Sequence, residues 1–248
     1  FKGKITTGIP RISGEGVKID VRTDVTVNLN GQRIPEVLID AMAPVEYFGG
    51  ISFDFNGHAC RSVLQVRETA PQTVLENLSM AAIDVQGYPL VQQTYIIGLH
   101  VSMSDGSSIK IRNIDARNMS STANKVIGDS CGNISAVYVT AKAGVQSCLE
   151  MYDCYFKDIH NYDQNGKIIL EDTNGIYVSL GAPVHTQTTV HIHDITGVDY
   201  GKRLIKTDCS NLRVENITAS SRFYDTLSAV SLNDGDGKSY FRRMWRQL

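Results

Sequence analysis

Three aspartates close three similar short segments: Asp129 ends NKVIGD, Asp172 ends GKIILED with Glu171 beside it, and Asp208 ends GKRLIKTD. Carboxyl groups protonate leaving oxygens and attack or stabilise anomeric carbons, and glycosidases hold two of them about 5 to 10 Å apart. If the three segments lie on adjacent strands, their aspartates stand about 5 Å apart across one strand and about 10 Å across two. Like charges at such spacing oppose double ionisation, which divides a carboxyl pair into an acid and a base. Glu171, Asp172 and Asp208 are therefore the candidate catalytic residues. The same residues also fit a plainer role, because aspartate is a common turn former and Lys125, Lys167 and Lys202 head the same segments as possible ion-pair partners.

Tyr138 in SAVYV and Tyr177 in NGIYV occupy matching positions of a second repeated segment. Their apolar neighbours must face a core, so both rings face outward, where stacked aromatics suit the apolar faces of pyranose rings. Tyrosine is also simply a good strand residue. His191 and His193 alternate with Val190 and Ile192 and point the same way. No carboxylate spacing in the sequence completes a metal set around them, so no metal is expected. NDGDGK at 233–238 lacks the later acidic ligand of a calcium loop and reads as a surface turn. The sequons at Asn77, Asn118, Asn133 and Asn216 do not establish glycosylation. The ending SYFRRMWRQL gathers Arg242, Arg243 and Arg246 around Trp245 and Phe241 and is expected to cap a stack of strands or meet a neighbouring subunit.

The elements that must position these groups are legible in a corner pattern. A polar residue has apolar residues four and two places before it and one place after it: Ile109, Ile111, Asn113, Ile114; Leu149, Met151, Asp153, Cys154; Val190, Ile192, Asp194, Ile195; Leu212, Val214, Asn216, Ile217; and, more poorly, Thr73, Leu75, Asn77, Leu78. Strand side chains alternate faces, so the step from two before to one after slips the phase by one. Asn and Asp are the non-glycine residues that best tolerate the left-handed backbone needed to bend a strand there. The chain thus turns a corner at each copy while keeping its apolar side chains inside. The Asp-closed segments and the VYV and IYV pair recur in step with the corners, which predicts three strand types in a fixed order. Only Pro35 to Tyr47 has spacing compatible with a helix.

On these corners and in-step strands the chain resembles the right-handed parallel β-helix of the pectin-lyase-like superfamily, over about residues 17 to 232. The resemblance implies an all-β fold, a right-handed single-stranded parallel β-helix, or solenoid, with loop insertions. Residues 233–248 would form a terminal cap or begin a further region of a longer chain. A β-sandwich is the competing architecture, with Asn-Gly pairs at 30–31, 56–57, 165–166 and 174–175 as its hairpin turns. Arg203 and Lys206 in RLIKT resemble the Arg-x-Lys substrate clamp of polygalacturonases, with one extra residue between the cations. DTNGIYV resembles that family's NTDGID strand, but neither an Asp-Asp pair nor a Gly-His-Gly segment occurs, and pectin is not assigned as the substrate. Within the superfamily the chain resembles phage tailspike-type polysaccharide depolymerases. That likeness implies a polysaccharide substrate such as capsule or O-antigen, cleaved by carboxylates or by lyase chemistry. It also implies an extracellular or virion-surface location, no cofactor, and a side-by-side homotrimer. Arg203, Lys206, Tyr138 and Tyr177 would then bind substrate. The alternative is a non-catalytic adhesin or fibre segment.

Composition narrows the rest. With 248 residues, 42% of them hydrophobic and 20% charged, the chain can bury a sizeable core, which excludes disorder. A net charge of -2 removes the basic footprint of a nucleic-acid partner. No run approaches the roughly 20 apolar residues of a membrane-spanning helix, so no membrane insertion is expected. Five cysteines without zinc-type spacing, three of them (Cys148, Cys154 and Cys209) in apolar runs, predict buried free thiols.

Overall fold

The computed structural model describes residues 3–5, 11–20, 37–57, 60, 62–88, 95–123, 133–141, 144–162, 165–169, 173–181, 187–221, 228–233 and 239–242, and no helix occurs among them. The strands are β1 (Gly3–Ile5), β2 (Arg11–Asp20), β3 (Ile39–Ala41), β4 (Val45–Asp54), β5 (Ser62–Val66), β6 (Thr69–Tyr88), β7 (Tyr95–Met103), β8 (Ser108–Ala123), β9 (Asn133–Ala141), β10 (Cys148–Tyr162), β11 (Ile168–Ile169), β12 (Thr173–Ser179), β13 (Thr189–Tyr200), β14 (Arg203–Thr207), β15 (Asn211–Ser220), β16 (Ser228–Asn233) and β17 (Ser239–Arg242). One sheet has the order β1-β3-β5-β7-β9-β12-β14-β16-β17, the other β15-β13-β10-β8-β6-β4-β2. Pairing along both orders is parallel until β17, which lies antiparallel on β16; β11 lies off the second sheet, antiparallel on β10. Setting β11 aside, the chain from β1 to β16 visits the two sheets in turn and adds each strand beside the previous one in that sheet. This all-β arrangement is compatible with a parallel β-helix. It overturns the sandwich alternative, which needs antiparallel hairpin pairing.

The corners account for the length of the strands. Asn77, Asn113, Asp153, Asp194 and Asn216 have φ of 54°, 52°, 54°, 53° and 51°. Their flanking residues pair in register across β6, β8, β10, β13 and β15, so the five stand in one column. Within it Asn113 Nδ2 donates to Asn77 Oδ1 at 2.9 Å and Asn216 Nδ2 to Asp194 Oδ1 at 3.1 Å. Gly50, with φ 74°, continues the column in β4 because Gly49 and Ile51 pair with Glu76 and Leu78. A second column, which the corner pattern did not include, lies five residues on: Ala82, Asn118, Asp158 and Asp199, with φ of 57°, 53°, 53° and 50°. Two bends per pass let β6, β8 and β10 run for 20, 16 and 15 residues without leaving the ladder.

The phase slip does what the spacing requires. Leu75, Leu78, Ile111, Ile114, Met151, Cys154, Ile192 and Ile195 are all buried, facing Leu64, Val66, Leu99, Val101, Val137, Val139, Ile176 and Val178 of the other sheet. Each such side chain contributes about 1.5 to 3 kcal/mol by leaving water. Thr73, the polar member of the poorest copy, is tolerated inside because its hydroxyl donates to the Val45 carbonyl at 2.6 Å.

The described part of Pro35 to Tyr47, the one stretch with helix-compatible spacing, contains no helix, as the all-β expectation has it: Ile39, Asp40 and Ala41 pair with Leu64, Gln65 and Val66, and β4 begins at Val45. Ladder bonding to neighbours decides against the helical spacing. One expectation is corrected: the Asp-closed repeat is not one strand type. In GKIILED, Ile168 and Ile169 fold back antiparallel on Tyr162 and Asn161, whereas RLIKT is β14 and pairs with β12.

Candidate functional site

The first sheet carries an outward column set by register: Gln65, His100, Tyr138, Tyr177 and Lys206 stand on β5, β7, β9, β12 and β14. Their chain neighbours Leu99, Val101, Val137, Val139, Ile176 and Val178 are buried, so strand alternation turns the column to the surface. The interstrand spacing makes its rings stack. His100 and Tyr138 lie 5.0 Å apart at 28°, Tyr138 and Tyr177 5.0 Å apart at 31°, and Lys206 Nζ sits 4.2 Å from the centre of the Tyr177 ring. Lys206 is only 8% exposed, its stem laid against the sheet and its charge over an aromatic face. His100 Nε2 lies 3.4 Å from Thr140 Oγ1, tying the first ring to the next strand.

Arg203 opens the same strand as Lys206, and its register partner is Asn174. Tyr138, Tyr177 and Lys206 therefore form one column, with Arg203 three residues from its end. Asp208 stands differently. Thr207 pairs with Val178, not with a residue of GKIILED, so Asp208 is not the in-register neighbour that the Asp-closed repeat implies. Its two carboxylate oxygens accept from the Leu180 and Gly181 amides at 2.8 and 2.9 Å, and the chain turns there with Gly181 at φ 70°. Asp208 anchors the turn after β12. Glu171, Asp172 and Asp129 lie outside the described residues.

The second sheet presents a polar face of which the residue types singled out only His191 and His193. The positions three and one before each corner form two columns: Lys110, Glu150, His191 and Arg213 in one; Glu76, Arg112, Tyr152, His193 and Glu215 in the other. Tyr47 donates to Glu76 at 3.0 Å, Arg112 pairs with Glu76 at 2.5 Å and donates to Tyr152 at 3.1 Å, and Tyr152 stacks on His193 at 5.0 Å and 3°. Glu150 Oε1 is 3.7 Å from His193 Nε2, and His191 Nε2 is 3.1 Å from Glu215 Oε2. His193 holds the Asp194 carboxyl below the usual carboxylate range, helped by Asn216; Arg213, then His191, does the same for Glu215. The corner repeat contained the means of finding this face, because it already aligned every one of these positions.

Three of the described cysteines take no part in either face. Cys60, Cys154 and Cys209 are buried free thiols, and burial pushes the first two up to about 12 and the third to about 11, far from a reactive thiolate at neutral pH. Cys148 departs from expectation: it is exposed, because it lies one residue before the inward Leu149, with its Sγ 3.2 Å from Thr189 Oγ1. Comparison of the chain with protein-family models, with curated proteins and with solved structures found no match in any of the three.

Proposed function

We propose that the chain is a right-handed parallel β-helix of tailspike type that binds a polysaccharide along the outward face of its first sheet and cleaves it with carboxyl groups. The observation that carries the reading is the column His100, Tyr138, Tyr177 and Lys206: rings at 5.0 Å intervals ending in a cation. With the ring faces turned toward one another, the column offers a sugar an apolar strip of ring edges with tyrosine hydroxyls, and an ammonium beside them favours acidic or hydroxyl-rich residues. Lys206 is the cation that the column offers such a substrate; Arg203, its partner in RLIKT, is in register with the buried Asn174 and does not share the column's face. Since both oxygens of Asp208 accept backbone amides, Glu171 and Asp172 bear the main acid and base roles; both precede β12, the strand that carries Tyr177. The same involvement of Asp208 favours a second reading, a non-catalytic glycan-binding β-helix. Under either, the protein acts at an extracellular or virion surface, and the first carries the expectation of a homotrimer.

A panel of bacterial polysaccharides tests both halves. Tyr138→Ala and Tyr177→Ala are each expected to weaken binding about tenfold, on the order of 1.4 kcal/mol. Release of reducing ends or of an unsaturated product is expected from the parent and lost in Glu171→Gln or Asp172→Asn, with binding kept. Binding without release assigns the second reading. A parent that binds nothing in the panel, or tyrosine variants that bind as well as the parent, overturns the sugar face.

A further inference from the structure

We propose that Glu150, His191 and His193 form a divalent transition-metal site of Zn2+ type on the outward face of the second sheet, separate from the proposed sugar face. Residues two apart on β13 share a face, and β10 lies one strand away with Glu150 opposite His191 and Tyr152 opposite His193. Three ligand-type side chains thus converge although Glu150 is far from the histidines in sequence. One ligand atom from each lies within 4.8 Å of the other two, and the imidazole centres are 4.4 Å apart. Metal bonds of about 2.0 to 2.2 Å need ligand atoms slightly closer than this, within reach of side-chain rotation.

The surroundings prepare the nitrogens. Asp194 Oδ2 sits 2.6 Å from His193 Nδ1. An ionised carboxylate only accepts, so the ring proton belongs on Nδ1, and Nε2, 3.7 Å from Glu150 Oε1, carries the lone pair. The Asp194 carboxylate is itself fixed, at a left-handed corner and by the Asn216 amide. Tyr152 stacks on the His193 ring and sets its plane. Glu215 plays the carboxylate's part for His191 at Nε2, leaving Nδ1 as the lone-pair nitrogen. Lys110 lies 3.4 Å from the other Glu150 oxygen, and Arg213 binds Glu215, so three carboxylates outnumber two cations around the site. The three ligands are 20% to 37% exposed, which leaves the metal's fourth position open to water.

The test uses the full chain without a histidine tag, stripped with a chelator and titrated with Zn2+ against a chromophoric competitor, and with Co2+ followed by its visible absorption. One equivalent of each is expected. Zn2+ affinity should fall at least tenfold in Glu150→Gln, His191→Ala and His193→Ala, and about tenfold in Asp194→Asn, where asparagine keeps the corner but loses the carboxylate. His100→Ala should leave it unchanged. Ring-nitrogen resonances of the parent, which need no variant, should show two of the six histidines shifting with Zn2+. Absence of a one-to-one complex, or Glu150→Gln binding within twofold of the parent, overturns the site. Glycan binding is read separately, so failure here leaves the sugar face standing and the reverse holds.

Discussion

Asp194 shows how much one residue can settle. Its left-handed backbone turns β13 through a corner, its carboxylate accepts from Asn216 one strand on, and the same carboxylate orients His193. Corner residues therefore act on the chemistry of the sheet face as well as on its shape. Ala82 is the one position among the nine corners at 77–216 without a side chain suited to its backbone, at φ 57° beside Asn118. Ala82→Asn should stabilise the protein by about 1 kcal/mol, because asparagine tolerates the left-handed region better. Asn113→Ala should cost about 1 to 2 kcal/mol and also forfeits the bond to Asn77. Urea midpoints at unchanged slope measure both; a lower midpoint for Ala82→Asn would refute the argument.

At the scale of elements, close approach between strand and interior limits what the repeat can accept. Gly98 lies in β7, the strand that carries His100. A methyl group there would meet the Ala136 carbonyl at 2.5 Å and Met80 Sδ at 2.9 Å. Met80 can turn aside, but the carbonyl belongs to the neighbouring strand backbone. Gly98→Ala should therefore lower stability by about 1 to 3 kcal/mol, read by thermal or urea unfolding, and also loosen the His100 and Tyr138 stack. Element pairing also explains why the Asp-closed repeat misled. Three segments with similar letters fit one strand type, yet β14 chose β12 as its partner and β11 returned on β10, since hydrogen-bond register depends on where each preceding turn ends.

Over the whole molecule, the interior is a sum of stacked layers, and such stacks lose order from their ends. Among the described residues β15 ends the second sheet, and its apolar Leu212, Val214 and Ile217 are only half-buried. Cys209 lies just before it, whereas Cys154 is enclosed between β8 and β13. In a Cys131→Ser background, a thiol reagent should label Cys148 in the native protein and leave Cys60, Cys154 and Cys209 untouched. With rising urea, Cys209 should be labelled before Cys154. Simultaneous labelling would mean that the layers melt as one unit.

The sequence alone determined the first column of corners, because a left-handed backbone and a slipped apolar phase are local demands that few residue types meet together, and Asn77, Asn113, Asp153, Asp194 and Asn216 met them; the second column, with Ala82 in it, emerged only in the fold. It also determined the Tyr138 and Tyr177 column, since apolar neighbours dictate facing and the repeat dictates register. The tertiary structure alone decided which acidic groups meet which neighbours. Asp208 became a turn anchor, and Glu150 joined two histidines some forty residues away, because contacts between strands depend on loop lengths that no local pattern encodes.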